Sequence, residues 1–281
     1  MTISIDPVAF SIGPVDIRWY GIFIALAIVW LVVWMLWQKK RGAEFSYDTI
    51  FTGFLVGIPS GVIISRLLHV LDNIVVAKVH PELAAAGQVI DYTQDPGRII
   101  GFEGLTAYGA VLGAALGVWI YCKITKLDMG HVSHTIAPAI IAAQAIGRIG
   151  CTLNGCCYGV ACNLPWAIEY TNPGTEAFGA GTVHPTQIYE IIFNLIVFGV
   201  LWKLMSKVRT DGTLFLIYLA LYSAWRVGID FIRPGNPFLF DLHQAQVIGI
   251  IVLVITIPLL VRRWPWFKKE ETPLQQELEV S

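Results

Sequence analysis

Four arginines, Arg66, Arg148, Arg226 and Arg233, stand within or at the ends of long apolar runs of this 281-residue chain. A charged side chain at such depth in a bilayer costs at least ~2.5–3.5 kcal/mol, so residues of this kind face the protein interior and serve a function. A guanidinium stays protonated, and its planar fork suits two-point binding of a phosphate or carboxylate. The chemistry on offer is therefore anion binding. The acidic residues nearby are Glu103, Glu190 and Asp230. Asp230 follows Arg226 by four residues and precedes Arg233 by three, a spacing that predicts one shared helix face and one or two internal ion pairs. Three carboxylates against four arginines, with none evidently beside Arg148, leave room for an external anion. In a membrane the abundant anion at this depth is a phospholipid phosphate, and Arg148 and Arg226 are the residues expected to hold it.

Arg148 is followed by Cys151, Cys156, Cys157 and Cys162 in the spacing C-x4-CC-x4-C. This is not one of the usual C-x2-C zinc spacings. Three readings stay open: a disulfide from Cys156 or Cys157 to Cys151 or Cys162 that braces the loop, free packing thiols, or metal or redox chemistry.

The elements that must position these residues are membrane spans. The chain is 56% hydrophobic and 14% charged, against about 25% charged in soluble domains. A net charge of −1 gives no case for nucleic-acid binding. A bilayer crossing needs roughly 20 apolar residues, and seven runs qualify, at 17–37, 50–72, 103–123, 135–153, 186–206, 213–232 and 243–262. The first lacks the basic start and cleavage site of a signal peptide. "GAVLGAALG" (109–117) predicts close helix packing through small residues. Twelve of the nineteen basic residues fall in alternate loops and the C-terminal tail, and residues 154–185 contain none. Lys and Arg collect on the cytoplasmic side, so the N-terminus is expected outside and the C-terminus in the cytoplasm. The fold class expected is an all-α polytopic membrane protein of seven transmembrane helices. Residues 1–264 form one transmembrane domain, outer segments 73–102 and 154–185 form a small cap or head region, and residues 265–281 form a polar tail. "PWAIEYTNPG" (165–174) suits a short strand and turn.

With the charged residues placed on spans, the sequence resembles a known family. "GRIGCTLNGCCYG" (147–159) resembles the signature of the bacterial prolipoprotein diacylglyceryl transferases: Gly-Arg-Ile-Gly-Asn, two apolar residues, Asn-Gly-Glu and a Gly three residues on. Arg148, Gly150, Asn154, Gly155 and Gly159 match it. "RWYG" (18–21), carrying Tyr20, resembles the family's first-span motif, and "GLTAYGAVLG" (104–113) its third. "HPTQIYE" (184–190) is similar to its His-Pro-Ser/Thr-Gln-Leu-Tyr-Glu segment, and "WRVGIDFIRP" (225–234) places its second essential arginine at Arg226. Gln246 falls where the family's last span carries a glutamine. The motifs occur in the family's order over essentially the whole chain.

The resemblance implies an inner-membrane enzyme of the bacterial cytoplasmic membrane. It would transfer the sn-1,2-diacylglyceryl group of phosphatidylglycerol to the lipobox cysteine of a prolipoprotein, with release of glycerol phosphate. Its partners would be phosphatidylglycerol, the prolipoprotein signal peptide and membrane lipids, with no cofactor and no metal. Arg148 and Arg226 would clamp the phosphate, Tyr20 and Asn154 would add hydrogen bonds, and Arg66 and Arg233 would tune the field or hold neighbouring structure. Gly155, Gly159, Asp230, His184, Gln187 and Gln246 would complete the substrate-binding set. Three positions depart from the family's pattern. Tyr108 stands where a histidine is common, Cys151 replaces the signature's Asn, and Cys156 replaces its Glu. The base for the thiol proton is therefore open among Tyr108 with a charged neighbour, His69 or His184, and the positive potential of the arginines. Alternative readings are a lipid- or anion-binding membrane protein or transporter, and a paralogue with another acceptor.

Overall fold

A computed structural model describes residues 1–79, 81, 90–93, 96–99, 106–208, 212–235 and 241–266. Among these, seven α-helices carry most of the chain: α1 (Trp19–Lys40), α2 (Tyr47–Val79), α3 (Ala107–Thr125), α4 (Met129–Asn154), α5 (Thr186–Met205), α6 (Thr213–Ile229) and α7 (Gln244–Arg262). Five short strands accompany them: β1 (Thr2–Ile3), β2 (Val8–Ile12), β3 (Val15–Arg18), β4 (Ile168–Tyr170) and β5 (Thr182–Val183). All the helices except α3 are long and apolar enough to cross a bilayer, and α3 carries a shorter apolar stretch over Gly109–Thr125. Large apolar side chains such as Leu55, Val111 and Val254 stand exposed along these helices. A helix surface of that kind suits lipid rather than water, as in a multi-pass membrane protein.

The chain divides into two compact units, residues 39–129 and the remainder. Within the first, α2 begins at a Ser46 cap whose Oγ accepts from the Thr49 amide at 2.9 Å. Gly109, Gly113 and Gly117 recur every four residues on one face of α3, and α2 lies against that face. A methyl at Gly109 would sit 2.5 Å from Ser65 Cα, and one at Gly113 2.5 Å from the Ser60 carbonyl oxygen. Only glycine allows this approach, as the run "GAVLGAALG" predicts.

The second unit is built on α4. Ala137 and Ile141 pack with Val197 and Leu201 of α5 and with Leu214 and Tyr218 of α6. Trp34 of α1 donates from its indole to the Thr135 carbonyl at 2.9 Å, and Trp30 to that of Ala139 at 3.2 Å. These bonds satisfy buried indole groups while the Trp34 ring makes tilted and edge contacts with Trp37, Phe198 and Trp202.

Several expectations need correction. The chain is not purely α-helical. β1 pairs in parallel with β4, β4 pairs antiparallel with β5, and β2 and β3 form a hairpin. Residues 154–185 do form a small head with the expected strand, and Ile168, Tyr170, Ala177 and Val183 fill its core. The N-terminal residues join it, which the apolar pattern left unread because two- to five-residue strands carry little periodicity. This pairing brings the N-terminal residues and residues 154–185 together. The outer segment expected at 73–102 starts late, because α2 runs on to Val79. Residues 80, 82–89, 94–95 and 100–105 lie outside the described residues, as does nearly all of the tail expected at 265–281.

Candidate active site

The centre of the second unit's polar interior is a residue that spacing alone left on the margin. Glu190, in the second turn of α5, is fully buried. Its Oε1 lies 2.8 Å from Arg148 Nη2, its Oε2 2.8 Å from Arg233 Nη2, and the Tyr222 hydroxyl donates to Oε1 at 3.2 Å. The expectation that no carboxylate stands beside Arg148 is thus overturned, because α4 and α5 come together only in the folded chain. The shared helix face expected for Arg226, Asp230 and Arg233 is overturned as well. α6 ends at Ile229, a 3-10 turn covers Asp230–Ile232, and Arg233 is extended at φ −105° and ψ 141°. Asp230 pairs with Arg226 at 3.3 Å, and His243 Nδ1 lies 3.1 Å from its Oδ2. Arg233 reaches Glu190 instead.

Among the described residues Arg148, Arg226 and Arg233 therefore face two carboxylates, and one positive charge is left over. Arg226 Nη1 is buried with no hydrogen-bond partner among the described residues. A buried donor of this kind costs about 1–3 kcal/mol unless something accepts from it. A phosphate oxygen is a suitable acceptor.

The signature turn is held by a Schellman closure of α4. Asn154 ends the helix and Gly155 adopts φ +71°. The Gly155 amide donates to the Thr152 carbonyl at 3.4 Å, and that of Cys156 to the Cys151 carbonyl at 3.2 Å. Glycine is required at 155 on two counts: its φ, and a Thr175 Cβ that would lie 2.9 Å from an added methyl. At Gly159 an added methyl would meet His184 Cβ at 2.5 Å and the Ile232 carbonyl at 2.8 Å. The Gly159 amide donates to His184 O and that of Val160 to Ile232 O. The space at both glycines is thus taken up by protein atoms.

This closure folds Cys156 back over Cys151, and Cys157 follows with a left-handed backbone at φ 62°, a conformation that costs about 1–2 kcal/mol for a residue with a side chain. The three sulfurs lie within 4.8 Å of one another, and Arg148 Nη1 lies 3.9 Å from Cys151 Sγ. Hydrogen bonds from the Cys151 and Cys156 thiols, aided by Arg148, hold the Cys157 thiol below its ordinary value, while those from Cys151 and Cys157 push Cys156 up. All five cysteines are free, so the disulfide reading does not hold in this structure. Cys162 stands outside the cluster.

The remaining expected site residues divide by role. Gln187 is fully buried and donates to the Cys156 carbonyl at 2.7 Å, while Thr186 Oγ1 donates to that of Cys157 at 2.6 Å. Both fix the cysteine turn. Asn154 Nδ2 donates to Glu176 at 2.8 Å, and its Oδ1 is buried without a partner among the described residues. The Tyr20 backbone packs on Gly150, whose added methyl would lie 3.1 Å from Tyr20 Cα. The His184 ring lies 3.3 Å from the Tyr189 hydroxyl. Gln246 caps α7: its Oε1 accepts from the His243 amide at 2.9 Å and its Nε2 donates to Val227 O at 3.3 Å. In the other unit, Arg66 donates to the Ile99 carbonyl at 3.0 Å and lies over the Tyr92 ring. His69 packs edge-on against that ring. Tyr108 lies in α3, but its side chain, like Glu103, is outside the described residues.

Sequence reasoning missed Glu190 as the organiser, along with Tyr222, His243 and Thr186. An acidic residue opening an apolar run was the available signal for Glu190. Burying a carboxylate requires cations, and arginines were already in hand.

The chain resembles known proteins over most of its length. Residues 7–262 match the family model described as prolipoprotein diacylglyceryl transferase. A protein of Dehalococcoides mccartyi named phosphatidylglycerol--prolipoprotein diacylglyceryl transferase is 44% identical over 93% of this chain and 95% of its own length. Proteins of the same name from Clostridium tetani (34% identical, 89% of this chain and 95% of that protein) and Trichormus variabilis (32%, 96% and 93%) are also similar. The chain belongs to the prolipoprotein diacylglyceryl transferase family.

Proposed function

We infer that this protein transfers the diacylglyceryl group of phosphatidylglycerol to the lipobox cysteine of a prolipoprotein, in a bacterial cytoplasmic membrane. The observation that carries the reading is the leftover positive charge around Arg148 and Arg226, with a buried Arg226 donor lacking a partner among the described residues, in a chain of this family. The cysteine sulfur attacks the glyceryl carbon that bears the phosphate. The sulfur–carbon bond forms as the carbon–oxygen bond breaks, and the electron pair leaves on glycerol phosphate. Negative charge thus gathers on the departing phosphate, where fixed guanidinium groups away from water stabilise it without reorganising. Arg226 donates through its free Nη1, and Arg148 acts from a position set by Glu190. Tyr20 and the Asn154 side chain add hydrogen bonds to the substrate. Seven spans, with the N-terminus and residues 154–185 outside, accord with the distribution of basic residues.

The test is transfer by purified protein in detergent, with phosphatidylglycerol labelled in its terminal glycerol and a lipobox peptide. Release of glycerol phosphate that needs the peptide thiol and is lost in Arg226→Ala supports the reading. Lipid binding without release would make the protein a lipid binder instead.

A further inference from the structure

The reaction needs a thiolate, because a thiol is a poor nucleophile. The carboxylates nearest the arginines are already engaged: Glu190 is held by two guanidiniums and Asp230 by Arg226 and His243. Beside Arg148 the fold instead assembles three sulfurs. We propose that Cys151, Cys156 and Cys157 bind a zinc ion whose fourth position receives the lipobox cysteine sulfur and holds it as the attacking thiolate. This rests on the transferase reading and deepens it.

The geometry suits the ion. Zinc–sulfur bonds of about 2.3 Å put the sulfurs of a trigonal or tetrahedral thiolate site about 3.8–4.0 Å apart. The three sulfurs here lie within 4.8 Å of one another, so closing on a metal takes a shift of less than about 1 Å. The site is also built in advance. The Schellman closure places Cys156 over Cys151, Thr186 and Gln187 fix the next two carbonyls, and Cys157 is kept left-handed at φ 62°. Backbone strain of this kind collects at functional positions. The Arg148 guanidinium, 3.9 Å from Cys151 Sγ, faces the sulfurs as well as Glu190.

Three protein ligands with an open fourth position is the arrangement of catalytic zinc, and a thiol that coordinates the metal loses its proton outright. Access is graded toward the outside: Cys151 is buried, Cys156 intermediate and Cys157 exposed. The incoming S–H bond breaks as the sulfur–zinc bond forms, and the proton passes to water at the exposed Cys157 side. The bound thiolate then attacks the lipid carbon, and glycerol phosphate departs toward the arginines. The product thioether is a weak ligand and leaves zinc for water or the next thiol. No net oxidation occurs.

The experiment is a cobalt titration of metal-free, thiol-reduced whole protein in detergent. The expected result is one Co2+ per chain, with a sulfur-to-cobalt charge-transfer band that Zn2+ abolishes. A lipobox peptide with cysteine changes the ligand-field bands, and the same peptide with serine does not. Cys151→Ser and Cys157→Ser each weaken binding at least roughly tenfold, and Cys162→Ser leaves it unchanged. Absence of a stoichiometric band in the wild-type protein, or of a response to the cysteine peptide, overturns the proposal whatever the variants do. Full transfer by chelated, reduced protein also overturns it and leaves the transferase reading standing. A wild-type cobalt response without any glycerol phosphate release overturns the transferase reading, and the attack step with it.

Discussion

Replacing Glu190 by glutamine keeps the shape of the side chain and removes its charge. In the folded protein this leaves Arg148 and Arg233, each 2.8 Å from a Glu190 oxygen, with one amide oxygen between them and an amide N–H₂ facing one of the cations. The site is fully buried on the carboxylate side, so water does not make good the loss. Breaking a buried pair from one side costs about 3–5 kcal/mol. At about 2 °C per kcal/mol for a chain of this size, the thermal midpoint in detergent falls by about 6–10 °C. Asp230→Asn sets the scale. Its partners Arg226 and His243 retain 21% and 23% of their side-chain exposure, so solvent screens the loss, and about 1–2 kcal/mol and 2–4 °C are expected. Adding Arg233→Met to Glu190→Gln removes one of the two stranded cations and recovers part of the shift, a coupling that a double-mutant cycle reads directly. The assay is thermal unfolding of five proteins, the wild type, Glu190→Gln, Arg233→Met, their double variant and Asp230→Asn, in one detergent at one scan rate. Equal shifts for Glu190→Gln and Asp230→Asn, or a double variant that is simply additive, would refute the account of Glu190 as the hub of the site.

Other outcomes follow from single contacts. Gly159→Ala places a methyl 2.5 Å from His184 Cβ, so it destabilises by about 1–3 kcal/mol, read as a lowered midpoint. Gly155→Ala meets both φ +71° and Thr175 and costs at least as much. Arg226→Lys, unable to offer two donors in one plane, lowers kcat/KM for transfer at least roughly tenfold while leaving the protein folded. Burial holds the Tyr170 hydroxyl above its ordinary value. Its contribution to stability is present below about pH 10 and is lost as pH rises through the higher folded value. Tyr170→Phe removes that part of the alkaline loss of midpoint.

Much of this protein was legible without coordinates, because a bilayer imposes length and polarity on the chain. Six long apolar helices fall where the runs predicted them, and the glycines at 109, 113 and 117 announced their own close packing. Arg148 and Arg226 stood out because charge in an apolar run needs a reason. What sequence spacing could not decide was partnership between elements. Asp230 stands within four residues of two arginines along the chain, yet the end of α6 at Ile229 turns Arg233 away to Glu190, forty-three residues upstream. C-x4-CC resembles no usual zinc spacing, yet a left-handed Gly155 reverses the chain and gathers three sulfurs. The strand β1 escaped notice for the same reason: its partner β4 lies far away along the chain. Periodicity and composition report what each segment must do alone, whereas charge pairing and thiol clustering depend on which segments meet, and only the packed chain settles that.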